Sequence, residues 1–264
     1  MSRLLAPLAL MLTAAAVSAA PPAAQGTVSI RWHGQSFFEI TTTKGTNIVL
    51  DPHAIEVYPR VAVKADLVLM SHLHTDHTQT FVVDNLKDLD KDGRVINALK
   101  KTADMKEEFV AVDKTIKDVH IRDVLVYHDD SQGAKRGKNG VWIMEVDGLK
   151  IVHLGDLGHQ LTEEQIKKIG EVDILMIPVG GVYTINGIDA QKVVEQLKPR
   201  HYVVPMHYGT DVYTDLLPIK SFIEDVPISQ VTKPPGGNEL LVDPAEKAKE
   251  KPVFVQLGYE KRGK

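Results

Sequence analysis

The chain contains no cysteine in 264 residues. Disulfide staples are therefore excluded, so the fold must rest on its core, and any metal site must be built from nitrogen and oxygen ligands alone. Positive charge is also short: 31 Lys and Arg stand against 35 Asp and Glu, a formal net charge of −4. That balance gives no general attraction for nucleic acid or anionic lipid. Beyond the first twenty residues there is no long apolar run, so no further segment reads as a membrane span. Nucleotide-binding loops are missing as well, since Gly137-Lys138-Asn139-Gly140 has neither the length nor the hydroxyl of a phosphate-binding loop. A serine-hydrolase elbow is missing too: Gly34-Gln35-Ser36-Phe37-Phe38 lacks the second glycine and the helix that should follow.

What is present describes an ordinary globular chain, with 43% apolar and 25% charged residues. Residues 1–20 stand apart. Arg3 precedes an apolar run from Leu4 to about Ala16, and small residues at Val17 and Ala19 suit a signal peptidase. The run is too short to span a bilayer comfortably and Pro21-Pro22 follows at once, so the segment reads as an export signal cleaved after Ala19 or Ala20. Residues 21–264 are then expected to form one domain outside the cytoplasm, periplasmic or secreted, with no stable membrane insertion. Loss of Arg3 makes that domain one charge unit more negative.

Periodicity organises the rest. TVSIRWH, SFFEITTT and NIVLD, within residues 27–51, read as successive strands, and DLVLM (66–70) reads as a short buried one. A polar, helix-compatible stretch runs from Thr80 to about Lys91. Strand patterns resume at 94–98, 119–128, 141–146 and 149–154, the last two joined by Asp147-Gly148, a strong hairpin signal. After that, helices and strands alternate: a helix between Thr162 as N-cap and Gly170 as C-cap, a strand at DILMIPV, a helix over 188–197 and a strand at HYVVPM. A run of strands followed by alternation implies an α/β fold of layered sheets covered by helices.

The chemistry concentrates in SHLHTDH. Three of the 11 histidines and an aspartate fall within Ser71–His77, where the buried strand ends. His72 and His74, two apart in extended backbone, point to one side and can converge on one ion. Asp76 and His77, adjacent at a bend, cannot easily join them there. They can serve a second ion, and paired metals about 3.5–4 Å apart are an arrangement suited to hydrolysis. The end of a strand is also where open α/β sheets place their sites.

His72-Leu73-His74-Thr75-Asp76-His77 resembles the HxHxDH signature of the metallo-β-lactamase superfamily, whose fold is a four-layer αββα sandwich. Five further blocks follow the order of its metal-dependent hydrolase branch, which includes ascorbate-6-phosphate lactonases: Trp32–Phe37, Leu50-Asp51-Pro52, His153–Asp156, Pro178–Thr184 and Pro205–Gly209. The resemblance implies a first metal on His72, His74 and a later histidine, a second on Asp76, His77 and His207, and Asp156 bridging both. His128 sits where the family supplies the later histidine, while His153, close to Asp156, competes for that place or stands behind the ligands. Asp51 is expected to buttress the histidine loop. The metals are two divalent cations, with the histidine count favouring zinc over manganese or iron.

By the same likeness, Asp76 and Asp156 serve the chemistry, and a metal-bridging hydroxide attacks an ester-type small molecule, either a lactone or a phosphodiester. The alternative is a metal-retaining binding protein without turnover. Lys135 and Arg136, just after His128, are candidates for holding a substrate phosphate or carboxylate. Tyr183 and Thr184 are candidates for lining the pocket. The sequence leaves the oligomeric state open.

Overall fold

The computed structural model describes residues 26–235 and 237–259, and the export-signal reading of residues 1–20 lies outside them. The chain first builds β1 (Val28–Trp32), β2 (Phe38–Thr41), β3 (Asn47–Leu50) and β4 (Leu67–Met70), then α1 (Leu86–Lys91) and β5 (Val95–Asn97). A small hairpin, β6 (Leu99–Lys101) and β7 (Glu107–Phe109), precedes β8 (Asp113–Ile116), β9 (Val119–Tyr127), β10 (Lys138–Val146) and β11 (Leu149–His153). The alternating part is α2 (Glu163–Ile169), β12 (Ile174–Pro178), α3 (Gly187–Leu197) and β13 (Tyr202–Met206). The chain ends with α4 (Lys220–Ile223), β14 (Val231–Thr232), β15 (Glu239–Val242) and β16 (Val253–Val255).

Among the described residues, six strands form one sheet in the order β15-β1-β2-β3-β4-β5, and eight form a second in the order β14-β16-β13-β12-β11-β10-β9-β8. Period-two alternation explains how the first sheet is buried on both faces. Ile48, Leu50, Leu67 and Leu69 enter the main core, whereas Val49 and Val68 enter a second cluster with Leu89 of α1. On the second sheet, Ile169 of α2 and Val193 and Leu197 of α3 join the main core. The layers are thus helix, sheet, sheet, helix, as the resemblance implies.

Two expectations need correction. The stretch from Thr80 to Lys91 is not one helix: Thr80–Val82 is a single 3-10 turn, and the α-helix begins only at Leu86. Val82 and Val83 drop into the outer cluster, and Val83 bridges Val63, which stops the helix from starting earlier. His72 lies in a bend over Ser71–Leu73 rather than in extended backbone, whereas His74 is extended as expected (φ −70°, ψ 150°), and the two rings meet with centroids 4.6 Å apart.

Strand direction places the chemistry. β3 and β4 run parallel in one sheet, and β11, β12 and β13 run parallel in the other. Their C-terminal ends carry Asp51, the Ser71–His77 loop, the turn to Asp156 and His207, and His128 follows the end of β9. No helix among the described residues is long and apolar enough to cross a membrane.

Candidate metal centre

The Oδ2 atom of Asp156 is the point on which the histidines converge. It lies 3.3 Å from Nε2 of His77, 3.2 Å from Nε2 of His128, 3.1 Å from Nε2 of His207 and 4.0 Å from Nε2 of His72. His74 faces His72, with Nδ1 and Nε2 3.0 Å apart. Asp76 joins from the rim, its Oδ2 3.5 Å from His77 Nε2. Three overlapping groups have the spacing of ligands on a cation: His72, His74 and His128; His72, His77 and Asp156; Asp76, His77 and His207. His74 is exposed and Asp76 half-buried, so the cluster opens to solvent on that side, while His72, His77, His128, His207 and Asp156 are buried.

The Asp156 turn is set by close packing. A Cβ on Gly155, whose φ is +53°, would fall 2.3 Å from Asn139 Oδ1 and 2.6 Å from Ser71 Cβ, so only glycine fits. Asn139 holds the turn by accepting the Asp156 N–H at 3.1 Å and donating to Leu154 O at 2.8 Å. A Cβ on Gly158 would strike the His128 carbonyl carbon at 2.3 Å, so this glycine lets the Asp156 segment approach His128.

Asp51 sits behind the loop as expected. Its Oδ2 is 3.0 Å from His77 Nδ1, and it also accepts the Ser71 N–H and hydroxyl, each at 2.6 Å. The Ser71 hydroxyl meets His72 Nδ1 at 2.9 Å. Both rings are thereby turned with Nε2 towards Asp156. His153 differs: Nε2 donates to Ser36 O at 3.0 Å and Nδ1 accepts the Gly155 N–H at 3.1 Å. With both nitrogens engaged, it has no lone pair for an ion. His128 is oriented the other way, with Nε2 facing Asp156.

Ser71, Asn139 and Gln35 have roles that the sequence reading did not single out. Gln35 donates its side-chain amide to Asp76 Oδ2 at 3.2 Å, and its carbonyl accepts the His207 N–H at 3.0 Å. Gln35, Asp51 and His207 all have positive φ, of 49°, 43° and 50°. Left-handed backbone at non-glycine residues costs about 1–3 kcal/mol each and tends to collect at functional sites. Asp51 and His207 were named from the sequence, whereas Gln35 was hinted at only by its place in the Trp32–Phe37 block.

The electrostatics fit a cation site. Burial, then the neighbouring His77, holds His72 well below the ordinary imidazole range, in the neutral form that ligates metals. Burial lowers His74 too, helped by His128. For His77 burial pulls down, but the carboxylates of Asp156 and Asp51 outweigh it and raise the group well above its usual value. Burial works to raise Asp156 and is outweighed by His207 and His77, which keep it ionised. Among the described residues, Nε2 of His77 and Nδ1 of His128 and His207 are buried without hydrogen-bond partners. The His77 atom points into the cluster, where a cation would satisfy it.

The remaining candidates fall outside the three ligand groups. Lys135 reaches the exposed Asp130, Nζ to Oδ1 2.9 Å. Arg136 lies over the Tyr183 ring, 4.8 Å from its centroid. The Thr184 hydroxyl turns back onto Ile185 O at 3.2 Å. His33 and His53 are buried and belong to none of the three ligand groups, His33 lying against Glu39 and His53 against Gly34 O.

Comparison with known proteins agrees with this geometry. Residues 29–207 match the family model described as a beta-lactamase superfamily domain. A UPF0173 metal-dependent hydrolase of Thermococcus onnurineus is 33% identical over 199 residues, covering 69% of this chain and 85% of that protein. One of Thermococcus kodakarensis is 32% identical over 203 residues, with the same shares covered. A metallo-beta-lactamase superfamily structure from Thermotoga maritima shares 31% identity at a TM-score of 0.62, covering 88% of this chain and 99% of the other. Family match, relatives and ligand geometry agree: the chain belongs to the metallo-beta-lactamase superfamily, among its metal-dependent hydrolases.

Proposed function

We propose that the protein is a dinuclear hydrolase acting on an ester-type small molecule, a lactone or a phosphodiester. The observation that carries this reading is the convergence of four histidine nitrogens within 4.0 Å of Asp156 Oδ2. His72, His74 and His128 would hold one cation, Asp76, His77 and His207 the other, and Asp156 would be shared. The all-nitrogen-and-oxygen set suits zinc first, and manganese or iron after it. The description of the Thermotoga maritima relative also names zinc.

Divalent cations held by these residues would supply a water acidified towards neutrality and a Lewis acid for the scissile carbonyl or phosphoryl oxygen. The chain's own residues do the holding. Asp51 and Ser71 fix the rings of His77 and His72, Gln35 steadies Asp76, and Asn139 sets the angle of Asp156. The Asp156 carboxylate would offset cationic charge in this buried space, backed by the buried Asp51 carboxylate behind His77. The exposed edge at His74 leaves the substrate a way in.

Metal analysis tests the reading. The purified chain, reconstituted with excess zinc or manganese, is expected to carry close to two ions, and His72→Ala with His74→Ala should remove one of them and abolish turnover. Binding of a single ion by the wild type would refute the dinuclear assignment. We propose export on the strength of the Arg3-to-Ala20 pattern; an intact Met1 on the protein isolated from its native host would overturn that.

A further inference from the structure

Two loops meet at the mouth of the metal centre, and the contact between them changes the role expected of Arg136. The first loop begins directly after His128. Asp129 accepts four backbone N–H groups, those of Ser131 and Gly133 at 2.7 and 3.0 Å and those of Lys135 and Arg136 at 2.9 and 2.7 Å. That wraps the loop around one carboxylate and delivers Arg136 to the second loop, where its Nη2 donates to Val182 O at 3.0 Å and its guanidinium covers Tyr183.

The second loop is strained at the point of contact. Val182 has φ +60°, and the Tyr183 N–H donates to Gly181 O at 2.6 Å, the rare hand of the γ-turn. A β-branched residue there is an outlier that persists only where its surroundings hold it. Arg136 grips it on both sides, at the carbonyl of Val182 and the ring of Tyr183.

This loop is anchored to the centre. A Cβ on Gly180 would fall 2.2 Å from His207 O, so the two backbones touch, and the Ile185 N–H donates to Leu157 O, next to Asp156. Leu217 donates its N–H to Gly180 O, and its Cδ1 lies beside Gly181. Val182, Tyr183 and Leu217 nevertheless stay 53%, 43% and 47% exposed, an apolar group left open at the mouth. Tyr213, half-buried, lies against Tyr58 with ring centroids 6.0 Å apart. Fixed positive charge is scarce here: Arg136 is spent as a strut, Lys135 turns to Asp130, and Asp211 and Asp215 flank Tyr213 in the sequence.

We propose that Val182, Tyr183, Tyr213 and Leu217, held by Arg136, form the specificity wall of the site and select an uncharged carboxylic ester, such as a lactone, through an apolar substituent. The identity of the bond cleaved rests on the function proposed above; recognition of the apolar group does not require turnover. Arg136 is a positioning residue in this scheme, not an anion hook.

The test uses the full chain loaded with zinc and γ-alkyl-γ-lactams with side chains from methyl to heptyl, uncleaved analogues of the lactones, titrated by calorimetry. Each added methylene is expected to tighten Kd by up to about fourfold until the wall is covered. Tyr183→Ala and Leu217→Ala should bring that factor towards one. Arg136→Gln should do the same by releasing the turn, while binding of inorganic phosphate stays as it was. A wild-type Kd indifferent to chain length would overturn the proposal, as would a selective loss of inorganic phosphate binding in Arg136→Gln. Lactams that bind with the chain-length effect while the matching lactones go unhydrolysed would leave the wall standing and remove the ester chemistry. Lactones hydrolysed without any chain-length effect would do the reverse.

Discussion

The carboxylate of Asp51 stands 3.0 Å from Nδ1 of His77, on the side of the ring away from Asp156. Through the Ser71 hydroxyl the same carboxylate also reaches His72, so one buried group orients a histidine of each proposed ligand set. Asp51→Asn puts an amide N–H or a weaker acceptor where His77 needs an anion. Loss of such a partner typically costs about 10–100-fold in metal affinity. Competition against a chromophoric chelator should show that loss, with Ser71→Ala affecting the His72 side alone. Unchanged affinity in Asp51→Asn would mean that the loop holds its shape without the carboxylate.

The choice between His128 and His153 can be made by counting ions. His153 spends both nitrogens, on Ser36 O and the Gly155 N–H, whereas His128 turns Nε2 to Asp156. His128→Ala is expected to lower the metal content by about one ion per chain. His153→Ala should keep both ions and lose about 1–3 kcal/mol of stability, because the Ser36 carbonyl is left buried without its donor. The reverse pattern in metal analysis would exchange their roles.

What the sequence disclosed was local. Asp147 and Gly148, with φ of 50° and 86°, make the hairpin turn that the dipeptide signals, and Thr162 forms a capping box with Gln165. The histidine loop was equally legible, since its candidate ligands are neighbours in the chain. What stayed hidden depends on contacts across the fold. His153 is engaged by a carbonyl 117 residues away, and Asn139 reaches the Asp156 turn from another strand. β15 pairs with β1 from the far end of the chain, and its Glu239-Leu240-Leu241-Val242 pattern is too short to announce itself. The break before α1 is tertiary as well, because Val82 and Val83 are taken by the outer core.

A pH effect independent of the metals is expected from Asp123. Burial raises its carboxyl up to about 7; Oδ1 accepts the Val112 N–H at 2.8 Å while Oδ2 is buried without a partner. The folded state therefore binds this proton more tightly than the unfolded chain. Stability is undiminished below the unfolded value near 4, falls as pH rises to about 7, and stays lowered above it. Asp123→Asn removes the ionisation, so it should stabilise the protein above pH 7 by on the order of 1 kcal/mol once solvent screening is allowed for. Urea midpoints measured from pH 4 to 8 check this: the gap between variant and wild type should open over that interval, and a constant gap would assign the effect to packing.

The sharpest test of the centre is Asp156→Asn. The substitution keeps the shape of the side chain, and its amide can still accept from Ser36, 3.4 Å away, but it removes the one negative charge on which four histidines converge. If the carboxylate is shared by two cations, their mutual repulsion loses its nearest compensation, and the second ion should bind more weakly by more than the roughly 10–100-fold seen for residues behind the ligands. The acidity of water at the centre depends on the same charge, so the pH–rate profile of the residual activity should move along the pH axis as well as drop. A carboxylate that served only the Gly155 turn would behave otherwise, because Asn is at home in turns and would leave the profile in place. Activity against pH under saturating metal separates the two cases. A full rate on an unmoved profile would remove Asp156 from the centre and with it the shared-ligand geometry, whereas a lowered and displaced profile, with metal content falling towards one ion, is the expected result.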